Sequence, residues 1–222
     1  MNPEKETVIN KCKTTSTGPE AMKIEDYFKT SEVYVIDTET TGLDGGPRDL
    51  VVDIGACSVD LSNGTVKDVY SSVVGYDVTE WEDRRSKAWI FENSDLSLDK
   101  VAAARSFFKV REDVADLLRG KAVTSYNIPF DMDKFLYRAP WNLRGVFDVC
   151  TDIMKAAANV CKLPSELYGR DYRFPKLDYA YKTITSGDPA GINGKQDHRA
   201  LSDARMASYV MIEMYRTGNY VP

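Results

Sequence analysis

Histidine is the scarcest reactive residue in this chain of 222 residues: there is one, His198. The four cysteines (Cys12, Cys57, Cys150 and Cys161) form no CxxC pair and no metal-finger spacing. That argues against a zinc-ribbon framework and predicts free thiols in a reducing compartment. No apolar run approaches the ~20 residues needed to span a bilayer, so no membrane partner is expected. The opening stretch, MNPEKETVINKCKTTSTGPE, lacks the apolar core of a signal peptide, and the chain reads as cytoplasmic. Basic charge is not in excess either. The formal net charge is −5, unlike a protein that coats long nucleic acid. An acidic balance suits a protein that grips a short stretch and carries acidic ligands, whose charge divalent cations would neutralise.

What is present is an ordinary globular composition, enough for one domain with additions. Residues 1–30 read as a flexible N-terminal extension, with a short helix over Met22–Phe28, residues 31–217 as the domain, and 218–222 as a C-terminal tail. The β-branched and aromatic run Val33-Tyr34-Val35-Ile36-Asp37-Thr38-Glu39 predicts a first strand, punctuated by Gly42. A second strand spans Leu50–Val59. Asn63-Gly64 then marks a hairpin turn, and a third strand covers Val69–Val74. Asp77–Asn93 shows no period and reads as a loop. Helical spacing returns over Leu98–Leu118, ended by Gly120. Ala122–Tyr126 reads as a strand, Phe130–Tyr137 as a helix stopped before Pro140, Val146–Val149 as a strand and Asp152–Cys161 as a helix. A helix over Lys176–Ile184, a Gly-rich loop over Ser186–Gly194 and a helix from Arg199 to Tyr215 complete the chain. The last helix carries Leu201, Ala204, Ala207, Met211 and Met214 on one stripe. Three strands followed by alternating helices and strands predict an α/β domain with a mixed central sheet flanked by helices.

In an extended strand, residues two apart share a face, so Asp37 and Glu39 stand side by side. At ~4 Å such charges repel by ~4 kcal/mol at an effective dielectric of about 20. Two arrangements relieve this equally well on the spacing alone: a hard cation between the oxygens, or one side chain turned to solvent.

Asp37-Thr38-Glu39-Thr40-Thr41-Gly42-Leu43 resembles the first motif of the DEDD superfamily of 3′→5′ exonucleases, which includes polymerase proofreading domains, RNase T and oligoribonuclease. Tyr126-Asn127-Ile128-Pro129-Phe130-Asp131 matches the second motif and makes Asp131 the third carboxylate. Outside that pattern Asp131 would read as a helix N-cap. Asp133 lies two helical steps away, ~200° around the axis, and reads as solvated. His198-Arg199-Ala200-Leu201-Ser202-Asp203 supplies the His-x4-Asp of the histidine-bearing branch. Five helical steps separate side chains by ~140°, so both reach one site only if His198 precedes the helix and Asp203 lies within it. Gly191 and Gly194 favour such a loop. The motifs stand in family order over roughly Val33 to Ile212.

The resemblance implies a ribonuclease H-like fold and two divalent cations, Mg²⁺ or Mn²⁺, held by Asp37, Glu39, Asp131 and Asp203. His198 would be the general base and the product a nucleoside 5′-monophosphate. It also implies an end-specific substrate site around Thr38, Thr40, Thr41, Gly42, Leu43 and Asn127, with Leu43 against the terminal base. The expected partner is single-stranded nucleic acid or a frayed 3′ end, DNA before RNA, with any polymerase or repair partner open. The alternatives are an RNA-directed exonuclease and a non-catalytic nucleic-acid-binding subunit. Tyr126, Trp81, Trp89, Arg84 and Arg85 could touch a strand, though such residues are more often core or solvated surface. Val52-Asp53-Ile54-Gly55-Ala56 and Phe147-Asp148-Val149-Cys150-Thr151 are weaker echoes, with Asp53 and Asp148 read as structural. Asp77–Asn93 departs from the family spacer, and Asn93-Ser94-Asp95-Leu96-Ser97 matches it only loosely.

Overall fold

A computed structural model describes residues 32–167, 169, 171–192 and 196–222. The N-terminal extension with its expected helix, Cys12 and Gly194 lie outside them. Five strands form one sheet in the order β3-β2-β1-β4-β5. These are β1 (Glu32–Thr40), β2 (Val51–Asp60), β3 (Thr65–Val73), β4 (Ala122–Ser125) and β5 (Asp148–Val149). β1, β2 and β3 pair antiparallel as the meander predicts, and β1, β4 and β5 pair parallel. The mixed α/β sheet expected from the element order is therefore present.

Alternation along β1 builds two cores. Val33 and Val35 face α6 (Ile153–Cys161), α7 (Leu177–Ile184) and α8 (Ala200–Arg216), packing against Ala157, Tyr181 and Met211. Tyr34 and Ile36 face α4 (Phe107–Leu118) and α5 (Pro129–Leu136), with Val110, Leu118 and Phe135. Asp37 and Glu39 continue the first of these faces. Ala207, Met211 and Met214 of the α8 stripe are buried in this core while Leu201 is half-buried, so the helix that carries Asp203 is held by its own apolar residues.

α8 comes very close to the sheet at Gly55, the β2 partner of Asp37. A Cβ at Gly55 would stand 2.2 Å from the Leu201 nitrogen. Glycine is what lets the first turn of α8 lie on the sheet beside Asp37.

Three expectations change. Asp77–Asn93 holds two short helices, α1 (Asp83–Ser86) and α2 (Trp89–Asn93), followed by α3 (Leu98–Ala103). They have no sequence period because each is barely one turn long. Their few apolar residues, Ala88, Ile90, Leu96 and Val101, form a small cluster with Val52. β3 starts at Thr65, earlier than expected, because the polar half of a sheet-edge strand carries no apolar signal. The last residues are not a free tail: Tyr220 is buried and donates to the Thr151 carbonyl at 2.8 Å. Among the described residues no helix is long and apolar enough to cross a membrane.

Candidate active site

The site lies where the C-terminal end of β1, the start of α5 and the start of α8 meet. β1 delivers Asp37 and Glu39 on one face, and its alternate residue Thr38 reaches the other side. There the Thr38 hydroxyl donates to Asp131 Oδ1 at 2.7 Å. Asp131 sits in the first turn of α5, a wide turn of π type, and is 2% exposed. It is therefore a buried inward-facing carboxylate and not a helix cap. Wide turns of this kind recur at functional sites because they re-aim a side chain. Asp133 is exposed and lies 3.8 Å from Arg144, pointing away from the site.

His198 lies before α8, in left-handed backbone (φ 56°), and Asp203 lies inside the helix's first turn. That is the geometry the His-x4-Asp spacing requires. A histidine held there costs about 1–3 kcal/mol, and such strain gathers at functional sites. Glu39, His198 and Asp203 each offer a ligand atom within 4.8 Å of the others. Asp37 and Asp131 join them through charge: Asp131, Asp203 and Glu39 all raise Asp37, and Asp203 and Asp131 both raise Glu39.

The site is acidic, and its relief from within the chain is limited to neutral donors. Asp37 and Glu39 keep some access to solvent. Even so, burial first, and then the neighbouring carboxylates, push Asp37 well above the usual range and Glu39 up to about 9. Burial raises Asp203 to about 7, opposed by the Gln196 amide that donates to its Oδ2. Burial raises Asp131 to about 6, opposed by the Thr38 hydroxyl. The other oxygen of Asp203, Oδ1, is buried with no hydrogen-bond partner among the described residues. An orphaned buried carboxylate oxygen costs free energy unless a cation meets it. Four carboxylates with one such oxygen are hard donors, and they fit divalent Mg²⁺-type ions. Burial lowers the pKa of His198, with Asp197 and Asp178 opposing, so the imidazole is neutral at neutral pH and able to accept a proton.

Beside these groups runs a cleft of about 480 Å³ lined by Thr38–Leu43, Trp89, Ile90 and Phe130. The first-motif residues assigned to substrate therefore do line a cavity, but with different parts. The Thr40 hydroxyl donates to the Gly42 carbonyl at 2.8 Å, and the Thr41 hydroxyl accepts from Leu50 N–H at 2.9 Å. Their side chains are engaged internally, leaving backbone toward the cleft. A Cβ on Gly42 would meet the Asp49 carboxylate at 2.6 Å, so glycine is needed at that turn. Leu43 is 69% exposed and is no part of the core. Lys134 holds its carbonyl at 2.7 Å. Asn127 accepts weakly from Phe130 N–H at 3.4 Å and does not line this cleft.

The other candidate contacts sort into structure. Arg84 reaches Asp49 at 2.9 Å and Asp44 at 2.8 Å, and Arg85 caps the Pro47 and Arg48 carbonyls. Tyr126 is buried, with its hydroxyl on the Pro175 carbonyl at 2.9 Å, and Trp81 packs against Tyr76. Asp53 is buried on Arg199 at 2.8 Å, and Asp148 is exposed in β5. Trp89 is the one aromatic of that group at the site: its ring stands edge-on to His198, 4.8 Å between centroids. Nothing in its local sequence singles it out, because the contact is made across more than a hundred residues.

The exonuclease family model RNase T matches residues 34–211. The curated relative 3′-5′ exonuclease DinG of Bacillus subtilis is 24% identical over 190 residues, 85% of this chain but only 18% of its own length. The chain thus spans less than a fifth of that relative. The nuclease domain of 3′hExo, a DEDDh family member bound to rAMP, superposes with a TM-score of 0.62 at 14% identity, covering 86% of this chain and 95% of that one. Exonuclease I of E. coli in complex with a dA16 oligonucleotide gives 0.59 at 14% identity, covering 84% of this chain and 41% of that one. These two likenesses speak to the fold, and the family match runs through all three acidic motifs and the single histidine. The chain belongs to the exonuclease family.

Proposed function

We propose that this domain is a metal-dependent 3′→5′ exonuclease, hydrolysing the terminal phosphodiester of a single-stranded or frayed 3′ end and releasing nucleoside 5′-monophosphates. The observation that carries this reading is the meeting of four mutually repelling carboxylates, one with an orphaned oxygen, beside a neutral imidazole. Asp37, Glu39, Asp131 and Asp203 would hold two divalent cations, Mg²⁺ or Mn²⁺. The chemistry such cations supply when bound is positive charge that acidifies a water and balances the departing oxyanion. His198 takes the water's proton at a ring nitrogen. Thr38 keeps Asp131 aimed inward. The backbone of Thr40–Gly42 and the exposed Leu43 face the cleft where the terminal nucleoside would lie. The catalytic domain is assigned to residues 31–217, in a cytoplasmic setting consistent with free thiols at Cys57, Cys150 and Cys161.

DNA is the proposed substrate. The likeness to a nuclease domain bound to rAMP keeps RNA as the rival, since discrimination depends on contacts to the 2′-hydroxyl. Incubation with 5′-labelled single- and double-stranded DNA and RNA, with Mg²⁺, Mn²⁺ or a chelator, tests both points. A ladder shortening from the 3′ end, lost in chelator, is expected, faster on single-stranded DNA. Cleavage that persists in chelator would overturn the mechanism, and binding of 3′ ends without cleavage in either metal would favour a non-catalytic subunit.

A further inference from the structure

His198 sits in a loop, and a proton acceptor there must be prevented from turning away. Two contacts from one chain segment do this. Trp89, at the start of α2, meets the imidazole edge-on at 4.8 Å between centroids. Asp95, between α2 and α3, accepts from Arg199 Nη1 at 2.7 Å, while Arg199 Nε donates to the buried Asp53 at 2.8 Å. Asp53 also accepts from Ala200 N–H at 3.1 Å and is the β2 partner of Glu39. The residue after His198 is therefore pinned at both ends of its guanidinium, directly where the backbone adopts φ 56°. Asp95 is itself held by Lys100 Nζ at 2.7 Å. The segment is seated on the sheet by the buried cluster that Ala88, Ile90, Leu96 and Val101 make with Val52.

We propose that residues 83–103 form a bracket that positions His198, with Trp89 braced against the ring and Asp95 gripping the next residue's side chain. This rests on the reading of His198 as the proton acceptor. Trp89 and Asp95 are positioning residues: neither is assigned to a metal ion or to the reacting atoms. Asp95 lies outside the cleft, so its loss should lower kcat and leave KM in place, the pattern of a group acting only on the reaction step.

Because the chain has a single histidine, its imidazole can be watched directly by ¹H–¹³C NMR of the full, metal-free protein labelled at histidine. The wild type should give one sharp pair displaced by the Trp89 ring current. Trp89→Leu should move that pair toward the position of an unshielded histidine, and Trp89→Phe should restore part of the shift. Asp95→Ala should broaden or double the pair and lower kcat roughly 3- to 10-fold with KM unchanged. Asp95 is largely exposed, so this variant should fold, and its unfolding midpoint checks that. An unmoved pair in Trp89→Leu and Asp95→Ala, or an unchanged kcat in Asp95→Ala, would overturn the bracket. Failure of the underlying reading looks different: His198→Ala would then turn over at the wild-type rate whatever the imidazole signals show.

Discussion

Two groups of acidic residues meet where Asp53 of β2 pairs with Glu39 of β1, and they are treated in opposite ways. Asp49 and Asp53 are each met by an arginine, Arg84 and Arg199, at 2.9 and 2.8 Å. Burial pushes Asp49 up, yet the Arg84 hydrogen bond, the Asp44 N–H and the charges of Arg84 and Arg48 together outweigh it, and the net shift is downward. Asp131 and Asp203 meet the neutral donors Thr38 and Gln196, Asp37 and Glu39 feel the neighbouring carboxylates, and all four are shifted upward. The protein evidently can pair a buried carboxylate with a guanidinium, and does so one strand away. The unpaired group marks the place where positive charge has to come from outside the chain.

The largest effect should come from breaking the unpaired group. Asp131→Asn keeps the shape and the Thr38 contact but removes a proposed cation ligand, and turnover should fall on the order of a thousandfold or more. Its thermal midpoint in chelator should match or exceed the wild type, which a thermal melt beside the nuclease assay would read. Wild-type turnover in this variant would sink the site assignment.

Geometry can be broken while every charge is kept. Gly55→Ala puts a Cβ into the α8 backbone and should move Asp203 away from Asp37. Overpacking of this kind costs about 1–3 kcal/mol, readable by urea denaturation, with a clear loss of activity. Unchanged stability and activity together would mean that α8 can slide without disturbing the site.

A smaller effect should appear with pH. In the metal-free fold Glu39, raised to about 9 from its ordinary 4.5, keeps a proton that the unfolded chain has released. Asp203 behaves likewise to about 7 and Asp131 to about 6. The unfolded state binds fewer protons through this window, so stability should fall as pH rises from about 5 to about 9. Saturating Mn²⁺ should flatten that fall, because it stabilises the ionised carboxylates. A thermal midpoint in chelator that rises over the window would contradict the shifts.

The smallest effect is reserved for the neighbouring carboxylate outside both groups. Asp133→Asn should alter stability by no more than about 0.5 kcal/mol and leave turnover unchanged. Any larger loss of turnover would mean that the two helical aspartates have been assigned the wrong way round.

Much of this arrangement was legible in the chain itself. Strand alternation put Asp37 and Glu39 on one face, and the angular argument for His198 and Asp203 required the loop-then-helix geometry found at φ 56°. Periodicity failed where elements were too short to repeat: α1 and α2 hold four and five residues. It also failed at Trp89 and Asp95, whose partners lie more than a hundred residues away and leave no local signal. For Arg84, the sequence could not distinguish a strand-binding cation from one already paired with Asp49 and Asp44.

The sequence by itself determined which side chains carry charge, which strand and helix faces they occupy, and in what order the motifs run. These follow from backbone geometry and short-range spacing. Tertiary structure alone decided which acids are neutralised by arginine and which are left to each other. Pairing depends on distances between residues far apart in the chain, and a carboxylate's charge state follows from what surrounds it.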